Sequence, residues 1–489
     1  MCHWFEKLDA IIEREGFVRT PFVPKQPYCC NENETIIALN TLFSEHLKCA
    51  KSALVFVDGV EKLASHKKTI DAVFREITSA TGIETHWHNI SSLLNVQPEN
   101  LHASHKHVSK IREVLRNSQC GVAITLGSGT LTDLVKHALY EENSDKKLVS
   151  VPTAISVTAY TSAFSVLDWN GAKRTKPSRN VNAVLWVEPF VANAPHRMTQ
   201  AGYGDLLAPF WAYGDWALAN AFGLAPNYNI QSFRLLEPFF DGIKQCAHTV
   251  GTGTFNSETM ECLCASLGMA GIGMSAAGET APFSGCEHAV SHGLDFLRTT
   301  SGRTYVLHGE QVALASLTSA ALFDWFLNTP RPDIRKWRTE TPDEMINVLN
   351  VTFDAAPFWG EQEFLLSQIE RNQKLAAIEP ALSAARAEFI ADYRKKAEIW
   401  HNLAGKRQQI AQQWYEIQNT VRNLTMRGDV LEALLKNARL PLSPEETFPK
   451  TTPMELRWAA RFSPFVRSRA SIADVVFWMG EDPVIISGL

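Results

Sequence analysis

The sequence predicts an α/β fold in which a doubly wound sheet domain comes first and an all-helical domain follows. Over roughly the first 190 residues, short apolar runs alternate with amphipathic helical patterns, which is typical of a parallel sheet covered by helices. From Ala194 onward the strand pattern disappears and helical periodicity continues to the carboxyl end. We therefore expect two domains, residues 1–190 and residues 191–489.

Length and composition indicate a multidomain globular enzyme. A chain of 489 residues exceeds the size at which one hydrophobic core usually keeps growing. Hydrophobic residues make up 45% and charged residues 20%, which excludes a long disordered or collagenous body. The net charge is −5 without a long basic block, so we expect no nucleic-acid partner.

The amino terminus and the cysteines predict a cytoplasmic protein without a membrane partner. Residues 1–6 have no signal-peptide pattern, and no run of about 18 uncharged apolar residues is long enough to span a bilayer. The nine cysteines include Cys29-Cys30 and the near pair Cys262 and Cys264, but no CxxC motif. An odd number without framework spacing indicates reduced thiols.

The elements of the two domains are predicted from local patterns. Ser52–Asp58 is a short apolar run that ends in an acid, as in a buried parallel strand whose carboxyl end faces a ligand. A proline-free stretch rich in helix formers, 381–440, predicts long helices in the second domain. The other predicted elements are helices at 66–81 and 108–118, strands at 83–88, 121–126 and 147–151, and a hairpin at 168–179.

A glycine-containing turn follows the strand at 121–126 and opens a helix. Its sequence is Gly127-Ser128-Gly129-Thr130-Leu-Thr-Asp133. Glycines let the backbone approach a pyrophosphate, and the helix amino terminus offers N–H groups to it. Thr132 stands where the full dinucleotide fingerprint has a third glycine, so a purely structural turn is an equal alternative.

Two more segments are candidates for ligand contact. A loop rich in hydroxyl groups, 152–162, follows the strand at 147–151, where a second ligand-facing strand end is expected. The predicted hairpin includes Lys173 and Arg174, which form either a grip for an anionic substrate group or a solvated turn.

One carboxylate and three histidines suggest a metal centre. His288 and His292 are four residues apart in a helical pattern and therefore share a face. His308 follows after a short polar connection, and Asp205 lies upstream. Three protein ligands on Zn²⁺, Ni²⁺ or Fe²⁺ leave positions open for a substrate oxygen. Because the chain has 15 histidines, spacing alone is weak evidence, and ordinary histidines are the alternative.

Together these motifs resemble the glycerol-1-phosphate dehydrogenase family, within the wider group of iron-containing alcohol dehydrogenases, glycerol dehydrogenases and dehydroquinate synthases. The likeness extends from about residue 50 to 325, with a weaker echo at 431–480. It rests on six ordered motifs: Gly127–Asp133, Pro152–Ala154, Gly171–Thr175, Ala194–Leu207, Ser284–His288 and His308–Val312.

The resemblance implies an NAD(P)-binding domain, then a helical metal-binding domain, with the active site in the cleft between them. By matching position, Asp205, His288 and His308 resemble the metal ligands, and His292 a neighbouring residue or proton relay. An acid at the end of the first strand favours NAD over NADP. The positions that resemble cofactor contacts are Asp58 at the adenosine ribose, Gly127, Ser128, Gly129, Thr130 and Asp133 at the pyrophosphate, and Thr153 and Ser162 near the nicotinamide.

The sequence departs from the family pattern at two substrate positions. Thr158 stands where the family has an Asp, and Thr280-Ala281-Pro282 lacks the family's arginine. A threonine exchanges hydrogen bonds but cannot act as an anionic base at neutral pH. We still expect interconversion of an alcohol and a ketone on a small phosphorylated substrate, with Lys173 and Arg174 at its anionic group.

Two alternatives stay open. One is a cyclase or lyase of the dehydroquinate synthase type acting on a phosphorylated sugar, although that branch normally has Glu where this chain has Asp205. The other is a non-catalytic relative, which Thr158 suggests and the retained ligand residues argue against. By analogy with the group, a homo-oligomer is expected.

Overall fold

The structure is a computed structural model that describes residues 4–17, 23–47, 52–64, 67–158 and 160–489. All strands of this described part lie between residues 28 and 187, and helices make up most of the chain after residue 187. The strands are β1 Tyr28–Cys29, β2 Ser52–Val57, β3 Glu84–Asn89, β4 Val122–Gly127, β5 Lys147–Pro152, β6 Phe164–Trp169, β7 Ala172–Pro177, β8 Ala183–Val184 and β9 Trp186–Val187.

Helices precede, connect and follow these strands. Those of the first part are α1 Trp4–Arg14, α2 Glu32–Thr41, α3 Ile70–Thr81, α4 Ile90–Leu94, α5 Val108–Asn117, α6 Gly129–Glu141, α7 Glu188–Val191, α8 His196–Leu206, α9 Pro209–Ala221, α10 Gln231–Leu236, α11 Phe240–Thr252 and α12 Ser257–Ala277. The remaining helices are α13 Cys286–Ser301, α14 His308–Asn328, α15 Pro342–Asp354, α16 Gln368–Asn402, α17 Arg407–Gln412, α18 Trp414–Arg422, α19 Gly428–Asn437, α20 Pro453–Phe462, α21 Ile472–Trp478 and α22 Pro483–Ser487.

Five strands form one parallel sheet in the order β3-β2-β4-β5-β8. Its central strands are buried and apolar, as expected for a sheet covered on both faces. The register pairs Val55 of β2 with Trp87 and Ile124 on its two neighbours. The predicted α/β fold with a helical carboxyl-terminal region is confirmed. Because the strands are parallel, the residues that follow β2, β4 and β5 lie at one edge of the sheet.

The described chain divides into two compact units. The sheet unit comprises the described residues of 1–169, 174–206 and 230–280, and the helical unit those of 170–173, 207–229 and 281–489. The predicted domain boundary near residue 190 stays a prediction.

Local capping explains where several predicted elements begin and end. The helix expected at 66–81 begins at Ile70 because the Thr69 hydroxyl accepts the Ala72 N–H, and it ends at Gly82, whose φ is +72°. His66, at the start of that prediction, lies outside the described residues. The predicted hairpin is formed by β6 and β7, and the turn residues Asn170 and Gly171 both have positive φ.

The helical unit has an aromatic core. The proline-free stretch forms most of the 35-residue helix α16 and then the shorter helices α17 to α19. The Trp400 and Trp478 rings stack in parallel with centroids 4.7 Å apart. Four aromatic side chains of these helices are buried within the chain: Phe389, Tyr393, Trp400 and Trp414.

Helix α12 is the one helix of the described part that is long and apolar enough to cross a membrane by length and composition. In the structure, 83% of its most apolar window is buried inside the protein, as in a core helix.

Candidate active site

The predicted strand–turn–helix lies at the carboxyl edge of the sheet. Strand β4 ends at Gly127, and α6 begins at Gly129. A Cβ atom on Gly129 would lie 2.4 Å from Val157 Cγ2, and one on Gly127 would lie 2.7 Å from Leu131 Cδ2. A side chain at either position would displace the neighbouring Leu131 or Val157 side chain, and with glycine the backbone at 127 and 129 carries no Cβ atom.

Asp58 follows β2 at the same edge. Its carboxylate is close to the glycine turn, since a Cβ on Gly127 would lie 3.2 Å from Asp58 Oδ2. The Oδ1 atom accepts the Val60 N–H at 3.0 Å and lies 2.5 Å from Lys62 Nζ. The Asp58 carboxylate and the Lys62 ammonium thus lie next to each other at the end of β2.

Asp133 lies one turn into α6 and faces the hairpin strand β6. Its Oδ2 accepts the Val166 N–H at 3.0 Å, and its Oδ1 is 3.0 Å from the ammonium of the fully buried Lys136. Both carboxylate oxygens of Asp133, which the resemblance places at the pyrophosphate, therefore have partners within the protein. Its position thus favours a role in fastening β6 to α6.

The loop after β5 returns to the glycine turn. The Thr153 N–H donates to the Gly127 carbonyl at 3.1 Å. The Thr153 hydroxyl is buried and has no hydrogen-bond partner within the described part of the chain, so a ligand hydroxyl or amide could satisfy it. Ser162, the other predicted nicotinamide contact, donates its hydroxyl to the Phe164 carbonyl at 3.0 Å.

Asp205 is held against the same loop within the sheet unit. The Thr158 N–H donates to Asp205 Oδ2 at 2.8 Å, and the aspartate is 2% exposed. Helix α8 packs so closely on the loop that a Cβ on Gly202 would lie 1.7 Å from the Ile155 carbonyl oxygen. The Gly202-Tyr-Gly-Asp205 motif therefore has a packing reason: the glycine lets α8 bring its carboxylate to Thr158.

Three histidines form a cluster in the helical unit. His288 and His292 share one face of α13, as predicted, and His308 is the first residue of α14. The ring centroids of His288 and His308 are 5.2 Å apart. The ring centroid of His292 lies 6.3 Å from that of His288 and 6.1 Å from that of His308. Side-chain nitrogens of His288 and His308 lie within 4.8 Å of each other.

Glu287 orients His288. Its buried Oε1 accepts the Gly285 N–H at 2.6 Å and lies 2.9 Å from His288 Nδ1. A carboxylate on Nδ1 fixes the ring and leaves Nε2 as the lone-pair nitrogen, which is the usual support of a metal-binding histidine.

Asp215 holds the start of α13. Its Oδ2 accepts the Cys286 N–H at 2.7 Å, and its Oδ1 accepts the Ile472 N–H. Burial raises the pKa of Asp215 well above its usual value, and the neighbouring Glu287 raises it further. Neither Glu287 nor Asp215 was assigned a role from the sequence, because a single carboxylate gives no periodic signal.

Two arginines lie next to the histidine cluster. Arg467 Nη1 donates to the Ser284 hydroxyl at 2.6 Å, and its Nη2 is 3.0 Å from His292 Nε2. Arg469 Nη2 donates to the Ser284 carbonyl at 2.6 Å. Burial lowers the pKa of His292 well below its usual value, and Arg467 and Lys173 lower it further, so the ring is neutral at pH 7.

Of the two residues predicted to bind an anionic group, Lys173 and Arg174, Lys173 is paired with a carboxylate of the protein. Lys173 Nζ is 2.8 Å from Asp295 Oδ2, and Asp295 Oδ1 accepts from Gln311 Nε2 at 3.1 Å. Burial alone would raise the pKa of Asp295, but Lys173, His308 and these hydrogen bonds lower it below its usual value, so the acid is ionised. Arg174 is 7% exposed. Arg467 and Arg469 were not predicted as site residues, although they lie in the segment of weaker resemblance, 431–480.

Comparison with known proteins gives the relatives of this chain. The family profile described as iron-containing alcohol dehydrogenase matches residues 32–195. Glycerol-1-phosphate dehydrogenase [NAD(P)+] of Thermococcus sibiricus is 29% identical over 226 residues, which cover 45% of this chain and 60% of that protein. The enzyme of the same description from Aeropyrum pernix is 32% identical over 211 residues, 43% of this chain and 57% of that protein.

Over less than half of its length, the chain is similar to glycerol-1-phosphate dehydrogenases. The resemblance stated from the motifs is thereby confirmed. The chain matches between 48% and 62% of the length of these curated proteins. Among solved structures, glycerol dehydrogenase from Schizosaccharomyces pombe superposes with a TM-score of 0.46 at 15% identity, over 85% of this chain and 90% of that one.

The profile match ends before the candidate metal ligands. Residues 32–195 include the glycine turn, the loop with Thr158 and the hairpin. They do not include Asp205, His288, His292 or His308. Assignment of those ligands therefore depends on the residues themselves.

Proposed function

We propose that the protein is a metal-dependent NAD(P) oxidoreductase that interconverts an alcohol and a ketone on a small phosphorylated polyol. The observation that supports this best is the Glu287–His288 pair beside His308. A buried carboxylate on the Nδ1 of a histidine, next to a second imidazole, is the supporting arrangement of a transition-metal site.

The proposed metal ligands are Asp205, His288 and His308. The donor set fits Zn²⁺, Ni²⁺ or Fe²⁺, because it combines one carboxylate with two imidazoles. A metal ion bound there would supply polarisation of the substrate oxygen, and a bound nicotinamide would supply or accept the hydride. In the chain itself, the Thr158 N–H fixes one oxygen of Asp205, and Glu287 fixes the tautomer of His288.

The proposed cofactor contacts lie along the edge of the sheet. Gly127, Ser128, Gly129 and Thr130 would bind the pyrophosphate with backbone N–H groups, and Thr153 would face the nicotinamide. Asp58 would accept hydrogen bonds from the ribose hydroxyls of NAD, and this favours NAD as the cofactor. If NADP binds instead, Lys62 beside Asp58 would pair with its 2′-phosphate. Asp133 and Ser162, whose side chains bond within the protein, would support the loop and hairpin that line this edge.

The substrate's anionic group would bind to arginines. Arg467 and Arg469 would take the place of the arginine that Thr280-Ala281-Pro282 lacks, because Ser284 already orients both guanidiniums. Lys173 and Arg174 would contribute positive charge nearby. His292, which is neutral at pH 7, would accept the proton that the substrate hydroxyl loses on oxidation and return the same proton on reduction, and the Thr158 hydroxyl would orient the substrate oxygen.

The test compares metal content and turnover. The purified protein would be assayed for bound metal and for nicotinamide absorbance with dihydroxyacetone phosphate and a panel of other phosphorylated and free ketones. We expect His288→Ala to lose one equivalent of metal and at least about 100-fold of kcat/KM together, because one of three ligands is missing. The exposed His248→Ala is the matched control.

Two outcomes would contradict the proposal. Metal and cofactor that bind without any net change in nicotinamide would favour the cyclase alternative, in which the cofactor returns to its starting state. An unchanged metal content in His288→Ala would refute the ligand assignment. The cytoplasmic location and the homo-oligomer stay predictions.

A further inference from the structure

We propose that the sheet unit binds a second divalent transition-metal ion, of the Zn²⁺ class, through His105, His137 and Glu141. This inference is independent of the proposed reaction, since none of the three residues belongs to the candidate active site. His105 lies in the short turn before α5, and His137 and Glu141 lie four residues apart on one face of α6.

The three side chains converge on one carboxylate oxygen. His105 Nε2 is 2.7 Å from Glu141 Oε1, and His137 Nε2 is 3.2 Å from the same atom. One ligand atom from each residue lies within 4.8 Å of the others. Two imidazole nitrogens and a carboxylate oxygen form a ligand set that zinc sites use, and water would complete the coordination.

His137 is the residue that most needs a ligand. Its side chain is 4% exposed, and neither ring nitrogen makes a hydrogen bond of normal geometry within the described part of the chain. A buried polar group without a partner is costly, and an ion is one of the usual reasons for finding it. A metal ion bound by Nε2 would satisfy this nitrogen.

The surroundings hold the other two residues in place. The His105 ring lies over Trp169 at the end of β6, with centroids 3.8 Å apart. Arg112 Nη1 donates to Glu141 Oε2 at 3.1 Å, which leaves Oε1 directed to the histidines. A second polar group on the far oxygen is typical support for a metal-binding carboxylate.

The positive charge near the cluster opposes binding of a cation, whereas the arrangement of the ligand atoms favours it. Arg112 and Lys176, whose ammonium lies 4.3 Å from the Trp169 ring centre, place positive charge near the cluster. A hard ion held mainly by charge would therefore bind poorly, whereas Zn²⁺ gains from imidazole nitrogen ligands. The consequence of binding would be structural, because the ion would join the turn before α5 to the helix that begins with the glycine turn.

The test is the zinc content of the full chain after saturation with Zn²⁺ and extensive dialysis. We expect the wild type to retain one equivalent more than His105→Ala and one more than His137→Ala. His107→Ala, from the same short turn, is the matched control and should retain the wild-type amount. Because the result is a difference between variants, it does not depend on whether the proposed active site holds zinc, iron or no metal.

A second measurement separates loss of the ligand from loss of the fold. His105 is the more exposed of the two histidine ligands, so we expect His105→Ala to keep the wild-type circular dichroism while the Zn²⁺-induced rise of its thermal transition is lost. Equal zinc content in the wild type and both ligand variants would overturn the proposal. So would an unchanged response of the thermal transition to Zn²⁺ in the folded His105→Ala protein.

Discussion

At the scale of single residues, the candidate site depends on side chains that fix other side chains. Glu287 is fully buried beside His288, and Ser284 holds two arginines. Such supports determine the direction of a lone pair or a guanidinium, which matters more for metal and anion affinity than the presence of the residue alone.

We expect Glu287→Gln to weaken metal binding about 10- to 100-fold. The amide keeps the shape of the carboxylate but loses its charge, so the Nδ1–H of His288 is held less firmly. Competition of the purified protein with a chelator of known affinity would measure the change. Glu432→Gln, at an exposed position, is the control, and equal metal affinity in both variants would show that Glu287 only supports the fold.

We expect Arg467→Gln to reduce the preference for a phosphorylated over an unphosphorylated ketone at least about tenfold, since a charge-assisted hydrogen bond typically contributes about 1.5–3 kcal/mol. The ratio of the two kcat/KM values measures it. Arg461→Gln removes an exposed arginine that pairs with Asp482 and should leave the ratio unchanged. An unchanged ratio in Arg467→Gln would remove this arginine from the anion site, and restoration by Arg467→Lys would indicate charge as the cause.

At the scale of elements, the packing of α8 on the loop after β5 determines where Asp205 lies. The contact leaves no room for a side chain at Gly202, whose added Cβ would overlap the Ile155 carbonyl oxygen. Backbone atoms on both sides of this contact cannot rotate away as a side chain can, so the element must shift.

We therefore expect Gly202→Ala to destabilise the protein by about 3 kcal/mol or more and to lower metal content with it. Gly405→Ala is the matched control, because nothing lies within 4 Å of its added Cβ and we expect no loss. Thermal unfolding and metal analysis of the same samples would test the coupling. A stable Gly202→Ala protein with wild-type metal content would contradict it.

Local patterns predicted the elements better than the directions of side chains. The strand–turn–helix at Gly127 and the shared face of His288 and His292 follow from neighbouring residues, and both are observed. Asp133 is different, since its contact with Val166 depends on how the hairpin packs. Arg467 meets Ser284 across 183 positions of sequence, a distance at which periodicity gives no information.

At the scale of the whole molecule, each of the two units has an apolar core of its own. The sheet unit has a buried apolar sheet, and the helical unit has its own aromatic core around Trp400 and Phe389. The metal ligands proposed for the reaction are three residues among 489. Metal is thus expected to control activity more than folding, in contrast to small domains that unfold without it.

We expect chelation to abolish nicotinamide turnover while far-UV circular dichroism stays at its native value. Activity should return on addition of Zn²⁺, Ni²⁺ or Fe²⁺, since the carboxylate and imidazole donors suit these ions, and should not return with Ca²⁺ or Mg²⁺, which prefer oxygen ligands. The ion that restores the highest turnover would identify the metal class of the site. Full activity in the metal-free protein would refute the metal-dependent reaction, and loss of helicity on chelation would show that the ion is also part of the fold.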